Sequence, residues 1–338
     1  DLIWPKEIEY SFMGGSWWWV AVLGATGLVV GVMRVTLNVP DDLSGSLAIL
    51  QSASVERSTA LQALGISVVT LVGGVSLGPF DGGVRSGAMV GDWWATIRRL
   101  PEKEKEVDTL SGINGSLGGL FTAPILSTLF ATELRWPDAA DKYRVLLPSL
   151  TAAFFGFAIN FAIVGDTFLG VFAVPDYDVR FWHFGLAVVL GFIAASISWL
   201  MGMTLYSLRR WVVPLISNQV VRSTLGGLAL GGIAFVVPLT LASGKGQMGV
   251  AISNIGELSA VLLVVVVLAK ILAVAIALAT GFIGGPVMPS LFIGGAAGLA
   301  IHVLIPEIPI ALAFSAMLVA VPGVSVGAPF SMVLLVVL

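Results

Sequence analysis

Apolar segments follow one another along almost the whole chain, at roughly 16–36, 60–79, 82–98, 110–132, 146–173, 183–206, 223–242, 257–281, 286–304, 308–321 and 324–338. Only 11% of the 338 residues are charged, too few to coat a water-facing surface; an ordinary soluble domain carries about 25%. At ~20 residues per spanning helix, the length accommodates roughly ten membrane segments. The pattern predicts an all-α polytopic membrane protein, one transmembrane domain over residues 1–338. Hydrophobicity excludes a disordered chain, and the absence of cysteine excludes a disulfide scaffold. A net charge of −3 with scattered basic residues leaves no footprint for nucleic acid.

The 40 glycines and 16 prolines do not suit a plain helix bundle. Easily broken backbone is tolerated at membrane depth only where it is buried or lines a cavity. Several segments are also too short to cross ~30 Å of hydrocarbon. Short, interrupted segments in pairs predict broken helices that meet near the midplane.

Residues 1–15, with Trp4, Pro5 and Lys6, read as an interfacial lead-in without a signal peptide. The chain stops inside the apolar run Val333–Leu338, so a truncation at both ends is expected. Positive residues gather in three connections: Arg98, Arg99, Lys103 and Lys105; Lys142 and Arg144; Arg209, Arg210 and Arg222. The first and third are placed in the cytoplasm by the positive-inside rule. The first alternates with Glu102, Glu104 and Glu106, as a solvated loop face does.

Two landmarks recur. From Gly78-Pro79 to Ala123-Pro124 the spacing is 45 residues, and from Gly285-Pro286 to Ala328-Pro329 it is 43. This predicts a duplicated unit, the first repeat over roughly 16–173 and the second over roughly 183–338. In each half a glycine-rich turn feeds a helix. Proline suits such a start because the N–H it lacks would be unpaired there. The remaining N-terminal N–H groups have no intrahelical partner, and the helix dipole adds about half a positive charge. An anion satisfies these donors without a positive side chain. A single Gly-Pro turn fits tight packing equally well; the pairing brings the ligand reading level with it.

Gly73–Gly78, Gly115–Pro124 and Thr280–Pro289, with the closing Ala328-Pro329, resemble the CLC chloride channel and transporter family, closest to its divergent bacterial ion-transport branch. The resemblance covers roughly residues 16–338; the family's first membrane helix and its last two have no counterpart. It implies two repeats of opposite topology built from short, tilted and broken helices. It also implies a homodimer in the lipid bilayer, each subunit with its own pathway for chloride or another small anion. Helix N-termini from three motifs would hold the anion. The first maps onto Thr36-Leu37-Asn38-Val39-Pro40, the second onto Gly78-Pro79-Phe80-Asp81-Gly82, the third onto Gly285-Pro286-Val287-Met288-Pro289.

Departures from the family pattern bear on mechanism. Phe80 holds the position of the gating glutamate, and Leu37 that of a serine, with Asn38 the polar candidate beside it. Pro286 removes one donor. The inner proton-relay glutamate maps to Leu134, with Glu133 just before it, and a family tyrosine falls beyond Leu338. These changes imply passive anion passage, gated at Phe80, rather than anion/proton exchange. The alternatives are passage of another anion such as fluoride, or a non-conducting scaffold or engineered variant. A bacterial inner membrane is the expected location.

Among the remaining residues, Asp81 fits a first-turn role on the helix dipole better than that of a displaced gate, and Arg85 stands one turn on, in reach of it. Lys270 is an intramembrane charge, either functional or snorkelling. Lys245 reads as an ordinary loop lysine. His183 and His302 are isolated, so no metal, cofactor or enzymatic activity is expected. Trp17, Trp18 and Trp19 read as an interfacial anchor. The steps Gly83/Gly87/Gly91 and Gly294/Gly298 mark close helix packing.

Overall fold

A computed structural model of the protein describes residues 14–41, 43–134, 142–165, 167, 175 and 177–337. The expected lead-in at Trp4, Pro5 and Lys6, and Leu338, lie outside the described residues. The first half comprises α1 (Trp18–Thr36), α2 (Ser46–Ser52), α3 (Arg57–Val72), α4 (Phe80–Ile97), α5 (Glu102–Phe121), α6 (Pro124–Leu134) and α7 (Lys142–Val164). The second comprises α8 (Trp182–Ser207), α9 (Gln219–Val236), α10 (Lys245–Ser253), α11 (Ala260–Ala279), α12 (Val287–Leu304), α13 (Ile310–Val326) and α14 (Pro329–Val337).

Most apolar segments become one helix each. The run 110–132 instead breaks in two, because Thr122 takes a left-handed conformation (φ 50°) and Pro124 starts α6. Two short helices, α2 and α10, were not expected from the sequence; at 7 and 9 residues they carry no apolar stripe long enough to read. Lys245 opens α10 rather than sitting in a loop. Glu102 to Glu106 likewise form the first turns of α5, and Lys105 pairs with buried Asp92 at 2.9 Å. Among the described residues six helices are long and apolar enough to cross a membrane, fewer than the roughly ten segments expected. The helices α4 and α5 carry several charges, and α3 and α13 are short.

The duplication is explicit in the packing. In order, α1 to α6 match α9 to α14, with lengths of 19 and 18, 7 and 9, 16 and 20, 18 and 18, 20 and 17, and 11 and 9 residues. On α4, a Cβ on Gly87 would stand 2.4 Å from the Gly112 carbonyl oxygen, and one on Gly91 2.2 Å from that of Asp108. On α12, Gly294 meets the Met317 carbonyl at 2.2 Å and Gly298 that of Ala313 at 2.4 Å. The glycines lie 207 residues from their counterparts and their partners 205, so the two-residue difference between the landmark spacings falls in the connection between these helices. Small residues let the two backbones approach in both halves alike.

Where the halves meet, the Gly78 N–H donates to the Gly285 carbonyl (2.9 Å), and the Gly285 N–H donates back to Gly78 (2.8 Å). This antiparallel pairing of equivalent residues is a local two-fold relation between repeats that run in opposite directions. Neither glycine has room for a side chain. A Cβ on Gly78 would stand 2.6 Å from Met288 Cβ, and one on Gly285 2.6 Å from Phe80 Cβ.

Gly285→Ala is therefore expected to destabilise the fold by about 1–3 kcal/mol, the usual cost of overpacking. Gly185, with nothing within 4 Å of an added Cβ, should accept alanine without loss. Thermal unfolding of the two variants in detergent checks this; equal midpoints would contradict it.

Candidate functional site

The Gly78–Gly285 pairing brings two helix starts face to face. Pro79 caps α4 and Pro286 caps α12, neither with a side-chain bond to the helix amides. Intrahelical bonding begins with Gly83 N–H to Pro79 and Ser290 N–H to Pro286, each 2.9 Å. The amides of Phe80, Asp81 and Gly82 in α4, and of Val287 and Met288 in α12, therefore precede the first helical bonds. Among the described residues they have no hydrogen-bond partner; Pro289 has no N–H to offer. Two helix dipoles thus point their positive ends into one buried region.

Side chains close the starts of α2, α9, α11 and α14, whereas α1, α3, α5, α8, α10 and α13, like α4 and α12, carry no side-chain cap. Asn218 accepts from Val221 N–H at α9, and Ser259 accepts from Leu262 N–H at α11. At α2 the cap comes from far along the chain, where Asp81 Oδ1 accepts from Ser46 N–H at 3.1 Å. The same carboxylate takes Arg85 Nε (2.7 Å), and Arg85 Nη2 reaches the Ser44 carbonyl (2.6 Å). Both side chains are buried, so the pair lowers the cost of two charges in the membrane. At α14, Glu133 accepts from Phe330 N–H (3.0 Å), Ser331 N–H (2.8 Å) and the Ser331 hydroxyl (2.6 Å). Leu134, next to it, packs half-buried against the main core.

Phe80 is fully buried. Its ring lies 6.2 Å from that of Phe121 and 5.6 Å from that of Phe130, so it fills the space under α5 and α6.

The first motif differs from expectation. Leu37 caps the C-terminal end of α1, and Asn38 is left-handed (φ 52°). The amides of residues 37–39 bond back to Met33, Val35 and Arg34. This stretch therefore ends a helix and presents no free N-terminus; the nearby start, α2, is held by Asp81. The motif still adjoins the other two, since Val39 shares an apolar cluster with Leu77 and Ile283. Arg34 fixes it there, donating to the carbonyls of Gly281 (2.9 Å) and Pro40 (2.6 Å). Arg222 reaches Asp41 at 2.9 Å. It is a buried first-turn residue of α9, not part of an exposed basic connection.

Lys270 does not snorkel. It is fully buried, and Nζ donates to the carbonyls of Thr240 (3.0 Å), Leu241 (3.3 Å) and Ala242 (2.7 Å), 5.1 Å from the centre of the Phe292 ring. Ala242 N–H in turn bonds to the Gly74 carbonyl (2.9 Å), so this lysine ties the second repeat to the turn that leads into Gly78. The tryptophan run divides: Trp17 is exposed and Trp19 is in the core. His183 accepts from Arg180 N–H and His302 contacts the Ile308 carbonyl, both local bonds.

Residues 44–338 match the family model described as voltage gated chloride channel. The chain is 31% identical over 307 residues to chloride channel protein CLC-e of Arabidopsis thaliana, a match covering 85% of this chain and 42% of that protein. It thus spans about two fifths of that relative's length. Among solved structures, a slow cyanobacterial Cl−/H+ antiporter superposes with a TM-score of 0.81 at 18% identity, covering 94% of this chain and 77% of that one. A CLC-type fluoride/proton antiporter superposes at 0.72 with 20% identity, covering 94% and 86%. At these identities the likeness establishes the fold.

The buried Asp81–Arg85 pair generates a stability prediction. Asp81→Ala leaves a buried guanidinium unpaired and α2 uncapped, at an expected cost of about 3–5 kcal/mol. Replacing both residues by leucine should recover much of the loss. Unfolding midpoints of the single and double variants measure this; an undisturbed single variant would contradict the pairing.

Proposed function

Because the chain belongs to the voltage gated chloride channel family, we propose that it carries small monovalent anions, chloride first, across a membrane. The observation behind this reading is the junction of α4 and α12, where unpartnered amides of two helix starts face one buried region. A neutral amide cluster of this kind attracts an anion and, lacking a fixed countercharge, lets it leave.

The pathway comprises the residues of the second and third motifs, Gly78 to Gly82 and Gly285 to Met288, with Leu37, Asn38 and Val39 bordering it. Passage is passive. Phe80 carries no proton, and Leu134 none either. Glu133 is committed to the α14 amides and hydroxyl, which disfavours its use as a shuttle. Phe80 narrows the outer side as an apolar gate. Asp81 remains structural, since α2 and Arg85 occupy both its oxygens. A homodimer with one pathway per subunit, in a bacterial inner membrane, completes the reading.

The missing serine at Leu37 and the missing donor at Pro286 favour a second reading, in which selectivity has moved to another anion such as fluoride. Proteoliposome efflux with paired anion and proton detection tests both. Wild-type or Phe80→Ala protein is expected to release chloride or fluoride without stoichiometric proton movement. The reading fails if folded protein of both kinds passes no anion, and its passive character fails if protons move in fixed ratio.

A further inference from the structure

Beside the connection between α2 and α3 lies a cavity of about 250 Å³. One ordered water needs only ~10–15 Å³ of such space, so the cavity takes a ligand of several atoms. It is separate from the junction: no residue from Gly78 to Gly82 or from Gly285 to Met288 lines it.

Its floor is Arg85, 3% exposed. Two of the three guanidinium nitrogens are committed. Nε donates to Asp81 Oδ2 (2.7 Å), and Nη2 to the Ser44 carbonyl (2.6 Å) and Asp81 Oδ1 (3.3 Å). Nη1 has no partner among the described residues. Arg34 Nε and Arg222 Nε also lack partners, but they are sealed from the surface. Arg85 Nη1 is not sealed, and the cavity is the space that Arg85 lines. A guanidinium with two N–H bonds to give is suited to an oxyanion. Ser44 and Thr59 also line the cavity, and their hydroxyls have no partner among the described residues.

The remaining charged group is Glu56, exposed at the mouth. One of its oxygens accepts from the Ser58 hydroxyl (3.1 Å), and the other has no partner among the described residues. A carboxylate repels a bare anion and accepts a hydrogen bond from a protonated one. Its charge is offset nearby, where Arg57, next in the chain, and Lys105 share the single carboxylate of Asp92 at 2.9 Å each.

We propose that this cavity binds hydrogen phosphate, with Arg85 Nη1 and the hydroxyls of Ser44 and Thr59 donating to its oxygens and Glu56 accepting its proton-bearing oxygen. Sulfate and a lipid phosphodiester have no proton to give at neutral pH, and a phosphate monoester, with its second pKa of about 6, has mostly lost its own. A halide neither spans the cavity nor donates to Glu56. The ligand would sit on the guanidinium that also holds Asp81 and the Ser44 carbonyl, one side chain away from the cap of α2.

Calorimetric titration of the full chain in detergent at pH 7, against a gluconate background, tests this with sodium phosphate, sodium sulfate and glycerol phosphate. Phosphate is expected to bind saturably, and the other two at least about tenfold more weakly, as an unpaired Glu56 beside a bare anion requires. Thr59→Val should weaken phosphate about tenfold. Glu56→Gln should raise sulfate affinity until the two anions bind within about threefold of each other. Neither position is fully buried, so both variants should unfold at the wild-type midpoint. Equal binding of phosphate and sulfate by the wild type would overturn the proposal, as would wild-type phosphate affinity in both variants. No phosphate binding would assign the cavity to water alone. The anion-passage reading stands in each case, because it rests on the junction.

Discussion

A helix that begins inside a membrane protein must find partners for its first amides within the protein, because no water is there to supply them. The pair of hydrogen bonds between Gly78 and Gly285 creates this problem twice at one point, since it sets the starts of α4 and α12 against each other. The close glycine contacts around them follow from that approach, and so does the positive potential of the junction. At α2 and α14 the same problem is solved from inside, by Asp81 and Glu133, carboxylates carried on other helices. At α4 and α12 no side chain does so. Other helices also start without a side-chain cap; what distinguishes α4 and α12 is that their uncapped starts are buried and set against each other by the Gly78–Gly285 pairing.

The few charges are arranged by the same economy. Asp81 meets Arg85, Arg222 meets Asp41 beside Arg34, and Lys270 spends its hydrogens on three carbonyls. These contacts hold the approaches to the junction: Arg34 and Arg222 brace the first motif against Gly281, and Lys270 braces the segment that bonds to Gly74. Charge here positions backbone, and the facing starts of α4 and α12 present neutral amides.

Much of the architecture was legible along the chain. The Gly-Pro and Ala-Pro landmarks located the duplication, and the GxxxG steps located the α4–α5 and α12–α13 packing, because both are covalent spacings that survive folding unchanged. The short helices α2 and α10 were not legible, since neither is long enough to show a period. The first motif was misplaced as a helix start. Its amides turn back onto α1, and the carboxylate that closes α2 comes from Asp81, 35 residues beyond Ser46. Arg222 read as part of a basic connection because nothing local shows that Asp41, 181 residues away, is its partner.

The sequence by itself determined that this is a membrane protein of two related halves with broken helices, because hydrophobic length, low charge and repeated spacing are properties of the chain alone. It also determined that Phe80 and Leu134 carry no ionisable group. Only the tertiary structure decided which helix ends are filled and which are free, and which polar atoms find partners and which, like Arg85 Nη1, do not. Those outcomes depend on contacts between residues far apart in sequence, and hydrogen-bond satisfaction can be judged only once all potential partners are in place.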